Sequence, residues 1–282
     1  MFAIRAPDHL GDGVMALPAI RALAALGPAR VYAPAWGSAL YEGLDVSPRD
    51  AAPEGEIGVL FKPSFGAAWR WRHLTRRVGL ATAGRGPLLT DALPVRAEHR
   101  RASYDRVAAS LGALVGPVRY TSRATAPAIP AGAVGLNPWS PSATVRWPHF
   151  RALADRLAGR APVVFFAGPG EEAQVRALAG THPVVAGLPL PAFAAALDAC
   201  AVFVSNDSGA AHFAAAVGTP VVMLHGSTTA DRTGVGAPVE GPDLWCRPCY
   251  RKACPFALGC LTGISVDRVH AAVLAALPGA PA

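Results

Sequence analysis

The chain has 282 residues, 52% of them hydrophobic and 16% charged, enough for two modest cores and incompatible with a globally disordered chain. Its net charge of +7 is uneven. Residues 1–130 hold sixteen Lys and Arg against ten Asp and Glu, and residues 131–282 hold ten against nine, so the first part is the one expected to meet an anion.

Residues 2–6 predict a first strand, entered directly from Met1 with no signal peptide, and no apolar run reaches membrane-spanning length. The expected compartment is therefore the cytoplasm. Pro7 to Gly13 predicts a turn into a helix over 14–26, where Pro18, lacking an N–H, marks a break or a fresh start. Strand-like runs at 29–33 and 57–61 then alternate with helical runs at 67–78 and 102–114, which predicts a parallel sheet with helices on both faces. Trp69-Arg70-Trp71-Arg72-His73, continued by Arg76 and Arg77, is the densest basic patch. It reads equally as a binding surface and as an amphipathic helix with tryptophans inward. No RNA- or DNA-binding motif accompanies it, so nucleic acid is not an expected partner.

Residues 121–133, with Pro127 and Pro130 and little periodicity, predict a linker between domains 1–130 and 131–282. A second alternating set follows at 133–137, 150–157, 163–167, 171–179, 191–199, 202–205, 208–217 and 221–224, and an amphipathic helix closes the chain at 266–277. The fold class is α/β, two doubly wound domains in tandem. Such domains are expected to hold a ligand in a cleft between them, at the carboxyl ends of the strands.

Two segments carry chemistry. Ser205-Asn206-Asp207-Ser208-Gly209-Ala210-Ala211-His212 joins a buried strand to a helix N-terminus, whose unpartnered N–H groups favour an anion. Gly209 allows close approach, and His212 shares a helix face with Ser208. Alone, the segment reads equally as an ordinary cap above a core histidine. Gly11-Asp12, in the first strand-to-helix turn, places a carboxylate where helix N–H groups favour its ionised form, although a simple cap looks the same.

Gly11-Asp12-x4-Leu17-Pro18-Ala19 followed by Asn206-Asp207-Ser208-Gly209-x2-His212 resembles glycosyltransferase family 9, the ADP-heptose:lipopolysaccharide heptosyltransferase family, with the GT-B fold. Leu60-Phe61-Lys62-Pro63-Ser64, Arg77-Val78-Gly79-Leu80, Gly84-Arg85-Gly86-Pro87, His99 with Tyr104, and Gly135-Leu136-Asn137-Pro138-Trp139-Ser140 through Arg146-Trp147-Pro148 are similar to its pattern as well. The resemblance implies an inverting transferase with Asp12 as general base. It implies ADP-heptose as donor and an anionic glycolipid or glycan as acceptor, with peripheral association to the inner membrane. Ser140, Arg146, Glu171, Asp207, Ser208, Gly209, His212 and Thr228 would bind the donor, with Glu171 on the ribose; Gly11 and Arg85 would face the acceptor. It also implies a terminal helix that packs back on the first domain. One departure stands out: Val145 occupies the place of the family's lysine, leaving Arg146 to supply that charge. No Asp-x-Asp and no Gly-x4-Gly-Lys-Ser/Thr are present, so neither a metal nor another cofactor is expected. A nucleotide-sugar epimerase of the same fold and a non-catalytic nucleotide-sugar binder are the alternatives.

Cys246, Cys249, Cys254 and Cys260 form C-x2-C-x4-C-x5-C, with Cys200 apart. Clustered thiols in a cytosolic chain favour a zinc or iron–sulfur site over disulfides, yet the two prolines nearby also suit a compact loop of free thiols.

Overall fold

A computed structural model describes residues 1–279, and the chain divides into two compact units, Met1–Arg119 and Tyr120–Ala282. The first unit runs β1 (Phe2–Arg5), α1 (Leu10–Ala25), β2 (Ala29–Ala33), α2 (Gly37–Leu40), β3 (Asp45–Pro48), β4 (Ile57–Leu60), α3 (Phe65–Arg70), β5 (Arg76–Leu80), β6 (Asp91–Leu93) and α4 (Arg100–Ala109). Its strands are all parallel in the order β3-β2-β1-β4-β5-β6. The chain direction across the sheet reverses between β1 and β4, and loops leaving those strands open a crevice in sheets of this kind.

The second unit repeats the plan with β7 (Val134–Asn137), α5 (Phe150–Leu157), β8 (Val163–Ala167), α6 (Glu172–Ala179), β9 (Val184–Ala186), α7 (Leu190–Asp198), β10 (Val202–Asn206), α8 (Gly209–Val217), β11 (Val221–His225), α9 (Ala230–Thr233), β12 (Ala237–Glu240), α10 (Gly259–Thr262) and α11 (Val266–Ala276). The parallel order β12-β11-β10-β7-β8-β9 puts its switch point between β7 and β10. Every residue of β7, β10 and β11 is buried, as continuous apolar runs in a two-sided sheet require.

The helix expected over 67–78 is wrong beyond its first turns. α3 ends at Arg70, and Arg76–Leu80 is a strand paired to β4. Trp71 turns inward and meets Tyr32 edge-on at 5.2 Å, while Trp69 is half exposed beneath the Arg72 guanidinium, so only one of the two tryptophans is a core residue. The break expected at Pro18 is absent as well: α1 is continuous through it and begins at Leu10, which brings Asp12 into its first turn.

The division between units falls at 119/120, earlier than the expected 130/131. Tyr120 N–H donates to Ala216 O, its ring packs on Phe213 at 4.9 Å, and the Ser122 hydroxyl donates to Pro191 O, which binds this irregular segment to the second unit. α11 packs on α5, β11 and β12, with Val269 and Val273 in that unit's core.

Candidate active site

At the switch point of the first unit, β1 ends in Arg5 and α1 follows after four residues, with Gly11 and Asp12 in its opening turn. Gly13 must be small here, because a Cβ would lie 2.5 Å from the Trp36 ring. α1 packs on α4, and α4 presents Arg100 and Tyr104, four residues apart on one face, to Asp12. Arg100 Nη1 lies 3.0 Å from Asp12 Oδ1 and 3.2 Å from Oδ2. The buried Tyr104 hydroxyl also bonds Asp12; burial, then the Asp12 charge, pushes that phenol well above its usual range. Asp12 is thus a held, partly accessible carboxylate.

The loops after β1, β3 and β4 enclose a cavity of about 250 Å³ lined by Arg5, Asp8, Arg49, Asp50, Lys62 and Arg70, among others. Asp8 accepts from Arg5 and Lys62, each at 2.7 Å. Burial alone would raise the Asp8 carboxyl, but these hydrogen bonds outweigh it and hold it below its ordinary value. Four cations against two carboxylates leave the cavity basic. Of these residues sequence reasoning gave a candidate role only to Arg70, in the basic patch that reads equally as a binding surface, although a lysine just after a buried strand, as Lys62 is, was a readable signal.

Arg85 is a correction. It is fully buried, donating to Leu80 O at 2.9 Å, to Leu60 O at 3.1 Å and to Lys62 O. Burial pushes its guanidinium down to about 10. It clamps the ends of β4 and β5 and offers no surface to an acceptor.

In the second unit, Asn206 closes the switch point. Its Oδ1 accepts from Trp147 N–H at 2.9 Å and its Nδ2 donates to Pro138 O at 2.8 Å, pinning the loop after β7 to the end of β10. Asp207 Oδ2 accepts from the Thr233 hydroxyl at 2.9 Å and lies 3.8 Å from His225 Nδ1, which in turn meets the Thr228 hydroxyl at 3.2 Å. Asp207, Thr228 and the buried His225 therefore form one polar cluster at the ends of β10 and β11; His225 was not anticipated. Ser208 is the N-cap of α8 with its hydroxyl 2.8 Å from Ser205 Oγ, Gly209 opens the helix, and His212 is buried one turn on. The N–H groups of that first turn lack intrahelical partners.

Arg146 stacks its guanidinium 3.7 Å above the Trp139 ring and donates to the carbonyls of Ser140 and Pro141. Ser140 is thereby fixed, and the charge left by Val145 is held in place by stacking. Glu171 turns back to accept from Gly168 N–H at 2.9 Å, shaping the β8–α6 turn. No helix among the described residues is long and apolar enough to cross a membrane.

Two Rossmann-type parallel sheets in one chain, each with polar residues gathered at its switch point, are the architecture of the GT-B class. The profile of glycosyltransferase family 9 (heptosyltransferase) matches residues 75–258, and the chain belongs to that family. Escherichia coli ADP-heptose LPS heptosyltransferase II is similar over 98% of both chains, with 20% identity and a TM-score of 0.74. The family 9 glycosyltransferase from Veillonella parvula covers 98% of this chain and 96% of its own, at 18% identity and a TM-score of 0.78. E. coli heptosyltransferase WaaC with ADP covers 98% and 99%, at 17% identity and 0.75. No curated protein sequence matches the chain.

Proposed function

We propose that the chain moves a heptose from ADP-heptose to an anionic lipopolysaccharide-core or other surface-glycan acceptor, with inversion and without a metal ion. The observation that carries the reading is Asp12, a carboxylate in the first turn of α1, gripped by Arg100 and Tyr104. Asp12 takes the proton of the acceptor hydroxyl as its oxygen forms the bond to the anomeric carbon. The carbon–oxygen bond to the diphosphate breaks on the opposite face. The first-turn N–H groups of α8, the Thr228 hydroxyl and the Arg146 guanidinium receive the departing diphosphate. Glu171 accepts from the ribose hydroxyls. Arg5, Arg49, Lys62 and Arg70 bind acidic groups of the acceptor, and the excess of cations in the first unit favours approach to an anionic membrane surface.

The test is calorimetric titration with ADP-, GDP-, UDP- and dTDP-linked sugars, paired with turnover assays on Asp12→Asn. The reading expects preference for the ADP-sugar, kept in Asp12→Asn while turnover falls by about 10²–10⁴. Binding of no nucleotide-sugar overturns it, and conversion of the donor alone to an isomer replaces it with an epimerase. Salt-insensitive absence of binding to anionic liposomes removes the membrane component.

A further inference from the structure

We propose that Phe65 and Trp69, an exposed aromatic pair on α3 ringed by arginines, dock the first unit on an anionic lipid bilayer; this rests on the function proposed above, with an acceptor carried at such a surface. Ala68, Trp71 and Leu74, three residues apart, are buried in the core beneath α3, which leaves Phe65, Trp69 and Arg72 facing outward. Phe65 is 49% exposed and Trp69 51%. Their rings stack at 6.3 Å with 13° between planes. The Arg72 guanidinium lies 4.4 Å from the Trp69 ring centre, and its Nη1 donates to Trp69 O at 2.9 Å. Two rings and a guanidinium thus form one ordered surface unit.

Charge around the pair has one sign. Residues 57–90 contain Lys62, Arg70, Arg72, Arg76, Arg77 and Arg85 and no Asp or Glu. Arg85 is buried, and Arg70 and Arg76 pair with Asp50 and Asp91 from outside the segment, each at 2.9 Å. Arg72 has no carboxylate partner among the described residues, so its charge stands uncompensated beside the rings. Headgroup phosphates of an anionic leaflet supply the missing counter-charge. Aromatic rings set among arginines suit the layer between headgroups and acyl chains, where a ring finds apolar contact while a guanidinium stays hydrated.

Size and geometry favour a bilayer over a macromolecular partner. Two half-exposed rings offer about 200 Å² of aromatic surface. A specific protein interface takes about 800 Å² from each side. Trp69 already meets Phe65 and the Arg72 guanidinium, which disposes it poorly to stack on a nucleobase. A lipid surface requires neither a large matched area nor a free ring face.

Docking by this face also sets the height of the first unit's basic cavity. Ser64, Gly66, Ala67 and Arg70, from the same stretch of chain, line that cavity, whereas the two rings do not. α3 has six residues and is therefore about 9 Å long. Rings seated about 5–10 Å into the interface hold the cavity at headgroup level, where the acidic groups of a membrane-borne acceptor stand.

The experiment is co-flotation of the full-length chain with vesicles of phosphatidylethanolamine and phosphatidylglycerol, and with vesicles of phosphatidylcholine alone, at about 0.1 and 0.5 M salt. Brominated acyl chains in a parallel set report tryptophan insertion by quenching. The expected result is binding to the anionic vesicles that high salt weakens without abolishing, reduced about tenfold in Phe65→Ser and in Trp69→Ser. Arg72→Gln should weaken it at low salt only. Quenching should be largely lost in Trp69→Phe and kept in Trp245→Phe, which removes the 86% exposed tryptophan of the second unit. The wild-type salt series and the Trp69→Phe quenching decide even where a serine variant fails to fold. Binding abolished by salt and without quenching overturns the aromatic anchor in favour of diffuse charge attraction. Absence of flotation with either vesicle overturns it too, as does Trp69-dependent retention on single-stranded RNA with none on vesicles. ADP-sugar titration on the same samples separates the two proposals. A chain that binds the sugar but no vesicle fails the docking alone, and one that binds vesicles but no nucleotide-sugar fails the proposed function alone.

Discussion

Arg100 Nη1 reaches both carboxylate oxygens of Asp12, at 3.0 and 3.2 Å, across 88 residues of sequence. The contact joins the first turns of α4 and α1 and takes one orientation of Asp12 out of many. Tyr104, one turn further along α4, holds the same carboxylate through its hydroxyl. Both are positioning residues for the proposed base. Tyr104→Phe keeps the ring packed on Phe61 and removes one hydrogen bond to a charged group. We expect kcat to fall about tenfold, and about a hundredfold in Arg100→Ala, with donor affinity unchanged in both. Steady-state kinetics beside donor titration checks this. A kcat that ignores both substitutions would remove Asp12 from the chemical step.

Arg85 carries a different expectation. Its guanidinium satisfies three carbonyls in the interior, and no carboxylate is among its hydrogen-bond partners. Arg85→Leu removes three interior hydrogen bonds, leaving Leu80 O only its bond from Thr82 N–H, which should destabilise the first unit by about 2–4 kcal/mol. Denaturant unfolding measures it. A variant of wild-type stability with impaired acceptor use would return Arg85 to the acceptor site.

The central strands were readable because they are buried on both faces: 134–137 is an apolar run closed by one polar residue, and 202–206 is one closed by two. The four strands with no sequence signal, β3, β6, β9 and β12, are the four edges of the two sheets, where three or four residues suffice and water covers one side. β5 was misread because interleaved tryptophan and arginine before it mimic a helix period. At the site, Asp12, Asp207 and Ser208 were legible because each sits in a local strand–turn–helix signature. Arg100 and His225 were not, since each acquires its meaning only from tertiary contacts. Arg85, flanked by glycines, resembled an exposed loop residue until the carbonyls around it were known.

Asn206 offers a sharper probe of the second unit than any charged residue. Both ends of its amide are committed, one as acceptor from Trp147 and one as donor to Pro138. Asn206→Asp keeps the acceptor but sets a carboxylate oxygen against the Pro138 carbonyl in a buried place. We expect a loss of about 2–4 kcal/mol, with weaker ADP binding because the loop carrying Ser140 and Arg146 is released. Thermal melting and ADP titration follow the two effects separately. Unchanged ADP affinity in a folded Asn206→Asp chain would show that this loop does not shape the nucleotide site.

His225 sets a pH limit on the fold. Burial pushes its imidazole below the ordinary 6.5, against the pull of Asp207, Glu240 and Asp231 and with the help of Arg247. The unfolded chain therefore takes up a proton below pH 6.5 that the folded chain resists. Stability from this group is complete above 6.5 and declines as the pH falls towards the lowered folded value. Asp8 has the same sign but a lower window, losing its contribution only below its ordinary 3.8. His270, also depressed chiefly by burial, overlaps His225, so the two must be separated by substitution. His225→Gln should flatten the fall in melting temperature between about pH 7 and 5, and His270→Gln should flatten only the remainder. Melting curves across that range decide it: a His225→Gln slope equal to wild type would mean that the folded protein protonates His225 as readily as the unfolded chain does.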